Sequence, residues 1–184
     1  TASVTIAADA LGLVWVHSYE GDGTLAVPTV SGWTEVVTVA TGFTRGTLLR
    51  SMSASPRTGA LTIDFAGNSQ GFVRYQVIEA TGVRTTGTNG ADAIAQVPAG
   101  VTGLGVTTLS ITLGALLNAA TSMAVGFVGL SNSTATIVPS NSFTELFEGN
   151  QTNCDEASFY KIGDTVVAAT FSTASLAVEL AIEL

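Results

Sequence analysis

The clearest pattern along the chain is the alternation of apolar and polar residues over short stretches. Near the C-terminus, Leu176, Val178 and Leu180 fall on one side of an extended chain, whereas Ala177 and Glu179 fall on the other. Runs rich in Val, Ile and Thr are separated by Gly, Ser, Asn and Pro, which is typical of strands joined by loops. The pattern predicts an all-β chain in which only residues 113–123 could form a helix.

The chain also contains an internal repeat, since residues 25–36 match residues 136–146 when one residue is dropped. The other matching segments are 3–6 with 109–112, 13–16 with 125–128, 61–65 with 167–171, and 72–79 with 177–184. We therefore expect two pseudo-repeats, residues 1–79 and 106–184, joined by a connector of residues 80–105 that is rich in Gly, Thr and Ala.

The repeat restricts the fold. Each half supplies four or five strands by this pattern, and a sheet of such strands has one apolar face that must be covered. The sequence therefore predicts one domain over residues 1–184, a jelly-roll β-sandwich built from two pseudo-repeated four- to five-stranded halves. The alternative is two separate small sandwiches, which would be marginally stable without disulfides or metal.

Composition argues against several functions. Charged residues make up only 11% of the chain, its net charge is -8, and Lys161 is the only lysine. Without a basic cluster we expect no nucleic-acid partner. No apolar run approaches the roughly 18 residues of a membrane helix, so we expect no membrane partner. The low charge suggests that other subunits cover part of the surface.

Candidate catalytic residues are few. Gly67-Asn68-Ser69-Gln70-Gly71 fits the nucleophile elbow of some hydrolases, but a strand follows it and the only histidine, His17, precedes it. We interpret the segment as a turn between two strands, although triads with other chain orders exist. His17 is expected at a strand end, and Cys154 is expected to be an inert thiol in a loop. One His and one Cys cannot form a His/Cys zinc site.

Two acidic pairs could offer oxygen atoms to calcium: Glu20 with Asp22, and Asp155 with Glu156. Neither pair has the spacing of a calcium-binding loop, and we interpret both as solvated loop acids. A pair of glycosidase carboxylates stays open, because distances in space are not readable from the sequence. We expect no cofactor, no metal and no enzymatic activity.

One repeated motif is the candidate site, either for a ligand or for a structural aromatic residue. Its residues are Trp33, Thr34, Glu35, Phe143, Thr144 and Glu145. An exposed Trp beside a carboxylate would suit a sugar, whereas an aromatic residue at the same place in both halves favours a plug at one end of the sandwich. We expect the structural role, and the repeated Glu has no assigned role.

The same residues carry a resemblance. Pro28 and Pro139 are each followed, four or five residues later, by an aromatic-Thr-Glu triplet, then by a Gly-containing loop and an alternating strand. This arrangement resembles tailed-bacteriophage virion structural proteins, which include jelly-roll capsid decoration proteins and tail-associated proteins. The resemblance covers most of the chain and brings no catalytic residues with it.

The resemblance implies a capsid decoration or cement protein, assembled in the host cytoplasm and placed on the outer surface of the virion. It would stabilise the shell through contacts with the major capsid protein or a tail protein. We expect a homo-oligomer, with a trimer as the working hypothesis. The alternative is a carbohydrate-binding or host-adhesion module of a tail fibre or surface protein.

Overall fold

A computed structural model describes residues 2–21, 24–131, 135–151 and 154–184. Within these ranges the chain forms fourteen strands and one turn of 3-10 helix, Ala91–Ala93, and contains no α-helix. The strands are β1 Ala2–Ile6, β2 Leu11–Tyr19, β3 Thr29–Val30, β4 Thr34–Thr41, β5 Thr44–Ser51, β6 Arg57–Leu61, β7 Ile63–Asp64, β8 Phe72–Ala80, β9 Val101–Thr112, β10 Met123–Leu130, β11 Ile137–Pro139, β12 Thr144–Gly149, β13 Asp155–Ile162 and β14 Val166–Glu183. The predicted all-β class is confirmed.

The helix considered for residues 113–123 does not form, and that prediction is wrong. Leu113 N donates to Thr165 O at 2.8 Å, which continues the pairing of the preceding strand beyond its end. Ala120 N donates to the Asn118 side chain at 2.9 Å. A side-chain oxygen that binds a backbone N–H two residues on stabilises a turn in competition with a helix.

The strands form two principal antiparallel sheets, each drawn from one half of the chain. The first sheet has the order β4-β5-β2-β8. The second sheet has the order β11-β14-β10-β13-β12, with β9 also paired to β14. Two short sheets, β1-β6 and β3-β7, complete the first half.

The central strands β2 and β10 of the two principal sheets are buried on both faces. On β2, Leu11, Leu13 and Trp15 point into a core that is shared with the second sheet. Val14 and Val16 point the other way, into an outer core of the first half. Because every position from residue 11 to residue 18 is buried, this strand is almost continuously apolar rather than alternating.

The shared core holds the two sheets together as a β-sandwich. The Trp15 and Phe127 rings meet there with their centroids 5.6 Å apart, and both side chains are fully buried. On β10, Ala124 and Val128 face away from this core, into an outer core of the second half. Burial on both faces accounts for much of the low charge content of the chain. This explanation does not require other subunits to cover the surface.

Candidate functional site

The two principal sheets meet along two seams that differ in chemistry. At the first, here called the closed seam, β4 lies against β14 and the connector passes between them. A Cβ atom added to Gly100 would contact Leu180 and lie 2.8 Å from the Cβ of Val39. The closed seam is therefore apolar and tightly filled.

The second seam, here called the open seam, lies between β8 and β12. It contains a groove of about 480 Å³, a volume that falls within the usual range for ligand sites. The residues that line it are Tyr75, Gln76, Val77, Ile78, Leu146, Phe147 and Ser158. Four of them are consecutive on β8, so residues whose side chains lie on opposite faces of that strand all line the groove. The groove therefore follows the edge of β8 rather than one face of its sheet.

The rim of the groove is apolar and its floor is polar. Tyr75, Phe147 and Leu146 are 39%, 42% and 46% exposed. Below them, Ser158 Oγ donates to Gln76 Oε1 at 2.6 Å, and both side chains are buried. An apolar wall around a few fixed polar groups is the usual composition of a binding site.

A buried ion pair lies beside this floor. Arg74 Nε is 3.5 Å from Glu156 Oε1, and the Glu156 side chain is 1% exposed. Burial raises the pKa of Glu156 to about 7, although Arg74 and Gln76 oppose the change. The pair also joins the two halves, since Arg74 lies on β8 and Glu156 lies on β13.

His17 continues the polar network between the halves. Its Nε2 atom lies 2.7 Å from Thr44 Oγ1, and its Nδ1 atom lies 3.2 Å from Cys154 Sγ. Burial, assisted by Arg74, lowers the pKa of His17 to about 3. Burial raises the pKa of the Cys154 thiol to about 12, with nearby Glu156 contributing in the same direction. Both groups are therefore neutral at pH 7, whereas a nucleophilic Cys–His pair requires a thiolate.

The structure changes the interpretation of the two acidic pairs that the sequence placed in solvated loops. Asp155 and Glu156 are not solvated loop acids: they lie in β13, which is paired on both sides, and both are buried. In the other acidic pair, Asp22 lies outside the described residues and Glu20 is buried. Cys154 directly precedes β13 and is fully buried, and His17 lies two residues before the end of β2.

His17 does not lie beside Ser69. Ser69 is exposed between β7 and β8, in the turn that the sequence predicted. His17 is fully buried and lies against Thr44 and Cys154 instead. The resemblance to a nucleophile elbow is therefore limited to the sequence pattern.

The two aromatic triplets occupy two different cores. Trp33 is half-buried against the outer core of the first half, beside a small cavity of about 80 Å³. Phe143 is buried in the outer core of the second half, edge-on to Phe159 at 5.6 Å between centroids. Asn89 Nδ2 in the connector donates to Thr34 Oγ1 at 2.9 Å.

The Glu of each triplet lies at a β-bulge. The register between β4 and β5 shifts after Glu35, and the register between β12 and β13 shifts after Glu145. Both side chains are exposed, as is Thr144. The structure does not bring the two triplets together.

Sequence reasoning missed the open seam. One signal was present, because Arg74 and Gln76 fall on the same side of β8 as Ile78, where a buried strand face would be apolar. Which strands lie at the edges of their sheets was not readable from the sequence.

The described part of the chain has no group of three or more His, Cys, Asp or Glu side chains that could hold a metal ion. It also has no helix that is long and apolar enough to cross a membrane. Comparison of the chain with protein-family models, with curated proteins and with solved structures finds no match. The resemblance to virion proteins therefore stays a prediction from the sequence.

Proposed function

We propose that the chain is a non-catalytic structural subunit that binds neighbouring subunits through the open seam. The observation that carries this proposal is the exposed edge of β8, which faces the apolar rim residues Leu146 and Phe147 across the groove. An uncovered strand edge with exposed apolar side chains readily pairs with another chain.

The setting that we propose is a virion, where the chain acts as a capsid decoration or cement protein. Its support is the sequence resemblance together with the net charge of -8, which suits a position on the outer surface, away from packaged DNA. In this role a rigid sandwich buries apolar surface against neighbouring capsomers and so stabilises the shell.

We also infer that the fold arose by duplication, as two small sandwiches packed back to back. Its support is the agreement in pairing, since β2 pairs with β5 and β8 as β10 pairs with β13 and β14. The bulges after Glu35 and Glu145 agree as well. A single eight-stranded jelly roll would leave the outer pairs β1-β6 and β3-β7 unassigned.

Co-sedimentation with empty capsid shells, assembled from the major capsid protein of the proposed virus, tests the proposed role. We expect the purified chain to form an oligomer and to co-sediment with expanded shells. A Tyr75→Lys variant, which places a charge on the rim, should co-sediment less. Val138→Lys is the matched control, because Val138 is 53% exposed on β11, away from the groove. A monomeric chain that ignores the shells would contradict the proposal.

Carbohydrate binding is the second candidate, and the open seam favours it more than Trp33 does. Tyr75 and Phe147 are exposed aromatic rings beside the Gln76 amide and the Ser158 hydroxyl, and these groups suit a sugar. A glycan array with wild-type chain and a Tyr75→Ala variant tests this function. Absence of binding to every glycan would remove it.

A further inference from the structure

We propose that the open seam binds an extended, uncharged segment of a partner protein, which adds as a strand to the edge of β8. This inference rests on the proposed function, because the partner is a different protein of the same assembly and not a second copy of this chain. It specifies that the segment in the groove runs antiparallel to β8.

The closed seam supplies the template for this binding. There the connector lies antiparallel to β14, with Ala95 N donating to Glu183 O at 2.8 Å and Glu183 N donating to Gln96 O at 3.1 Å. Farther along, Val101 pairs with Glu179 in the same direction. The chain thus covers the edge of β14 with an uncharged stretch of its own, residues 95–103.

The edge of β8 is the counterpart of the edge of β14. Gln76 of β8 lies opposite Trp15 of β2, as Leu180 of β14 lies opposite Phe127 of β10. Among the described residues β8 pairs only with β2, so its other edge carries no strand. The groove lies at this edge, where the connector lies in the other half.

The lining of the groove determines the chemistry of the segment. Tyr75, Leu146 and Phe147 offer apolar contacts, and the edge of β8 offers backbone hydrogen bonds. None of the described residues that line the groove is charged, and the charges of Arg74 and Glu156 beside its floor already face one another. A charged side chain placed in the groove would lose water without gaining a partner, so an uncharged segment is favoured.

Binding of a synthetic peptide with the sequence of residues 95–103, blocked at both ends, tests the inference on the isolated chain. We expect saturable binding and slower amide hydrogen exchange at those alternate residues of 75–78 whose N–H groups point away from β2. Tyr75→Lys should weaken binding about tenfold or more, because charges on an edge strand oppose pairing. Val138→Lys should change the affinity by less than about twofold, since Val138 lies on a different edge strand.

Absence of saturable peptide binding, or binding that leaves the β8 amides unprotected, would overturn the inference. Protection of β8 that rises with protein concentration and without peptide would identify a second copy as the occupant, which also overturns it. If the peptide does not bind while the wild-type chain still co-sediments with shells, the proposed function stands and only the proposed occupant of the groove is refuted. If the peptide binds and the chain ignores shells, the virion role fails instead.

Discussion

Glu179 provides a test of the folded core that can be worked out from the structure. Its side chain is fully buried on the face of β14 opposite the shared core, and neither carboxyl oxygen has a hydrogen-bond partner among the described residues. Its neighbours on the adjacent strands are Val128 and Val101, which carry no charge. Burial raises the pKa of Glu179 from 4.5 to about 8.

The sign of the effect on stability follows from this change. The folded carboxyl keeps its proton up to about pH 8, whereas the unfolded one loses it near pH 4.5. The stability that Glu179 contributes is therefore complete below pH 4.5 and falls as the pH rises to about 8. At about 1.4 kcal/mol per pKa unit, the loss amounts to roughly 3–5 kcal/mol at pH 8.5.

A Glu179→Gln variant removes the charge while keeping the shape of the side chain. Urea denaturation should give similar free energies of unfolding for the variant and the wild type at pH 5. At pH 8.5 the variant should be more stable by roughly 3–5 kcal/mol. Glu145→Gln is the matched control, because Glu145 is exposed on β12 and should change little. Parallel pH profiles of Glu179→Gln and wild type would refute the reasoning.

The remaining predictions concern the polar network around His17, the connector, and the pH at which the folded chain is most stable. Cys154 should resist thiol reagents in the folded chain, since burial raises its pKa to about 12, and labelling as fast as that of a free thiol would contradict its placement. Gly129→Ala should lower the free energy of unfolding in urea by about 1–3 kcal/mol, because its Cβ would lie 2.6 Å from Cγ of His17. An unchanged urea midpoint would contradict this packing. Glu183→Ala should lower the free energy of unfolding by about 1–3 kcal/mol and speed proteolysis of the connector, since Gln96 Nε2 donates to Glu183 Oε2 at 2.5 Å. Unchanged proteolysis would contradict the role of this hydrogen bond in holding the connector. Wild-type stability should be greatest near pH 5. The raised pKa values of Glu156, about 7, and Glu179, about 8, both lower stability as the pH rises, and together they outweigh His17, whose pKa of about 3 favours higher pH. A stability maximum at pH 8 would contradict this.

The sequence was sufficient to predict the strands but not their arrangement. Alternation at residues 176–184 identified β14 correctly as a strand. It gave no sign that Glu179 and Glu183 would be buried. Ala177 and Ala181 on the same face pack into the outer core of the second half, which exists only through long-range packing. A strand with one polar face is ordinarily half-exposed, and here both faces are covered.

The candidate site shows the same limit. Trp33 and Phe143 were identified from a repeated motif, and both pack against outer cores. Gln76 and Ser158 meet at 2.6 Å although they are far apart in the sequence and belong to different halves. Nothing local to either residue predicts that contact, which exists only because the two sheets pack face to face.

Photo-crosslinking in the intact assembly tests most directly the claim that the open seam is a subunit contact. A photoreactive phenylalanine analogue is placed at Tyr75 in the groove or at Val138 on β11, and particles are irradiated before dissociation. The account predicts that position 75 crosslinks to another subunit and that position 138 does so far less. Equal crosslinking from both positions, or none from position 75, would contradict it.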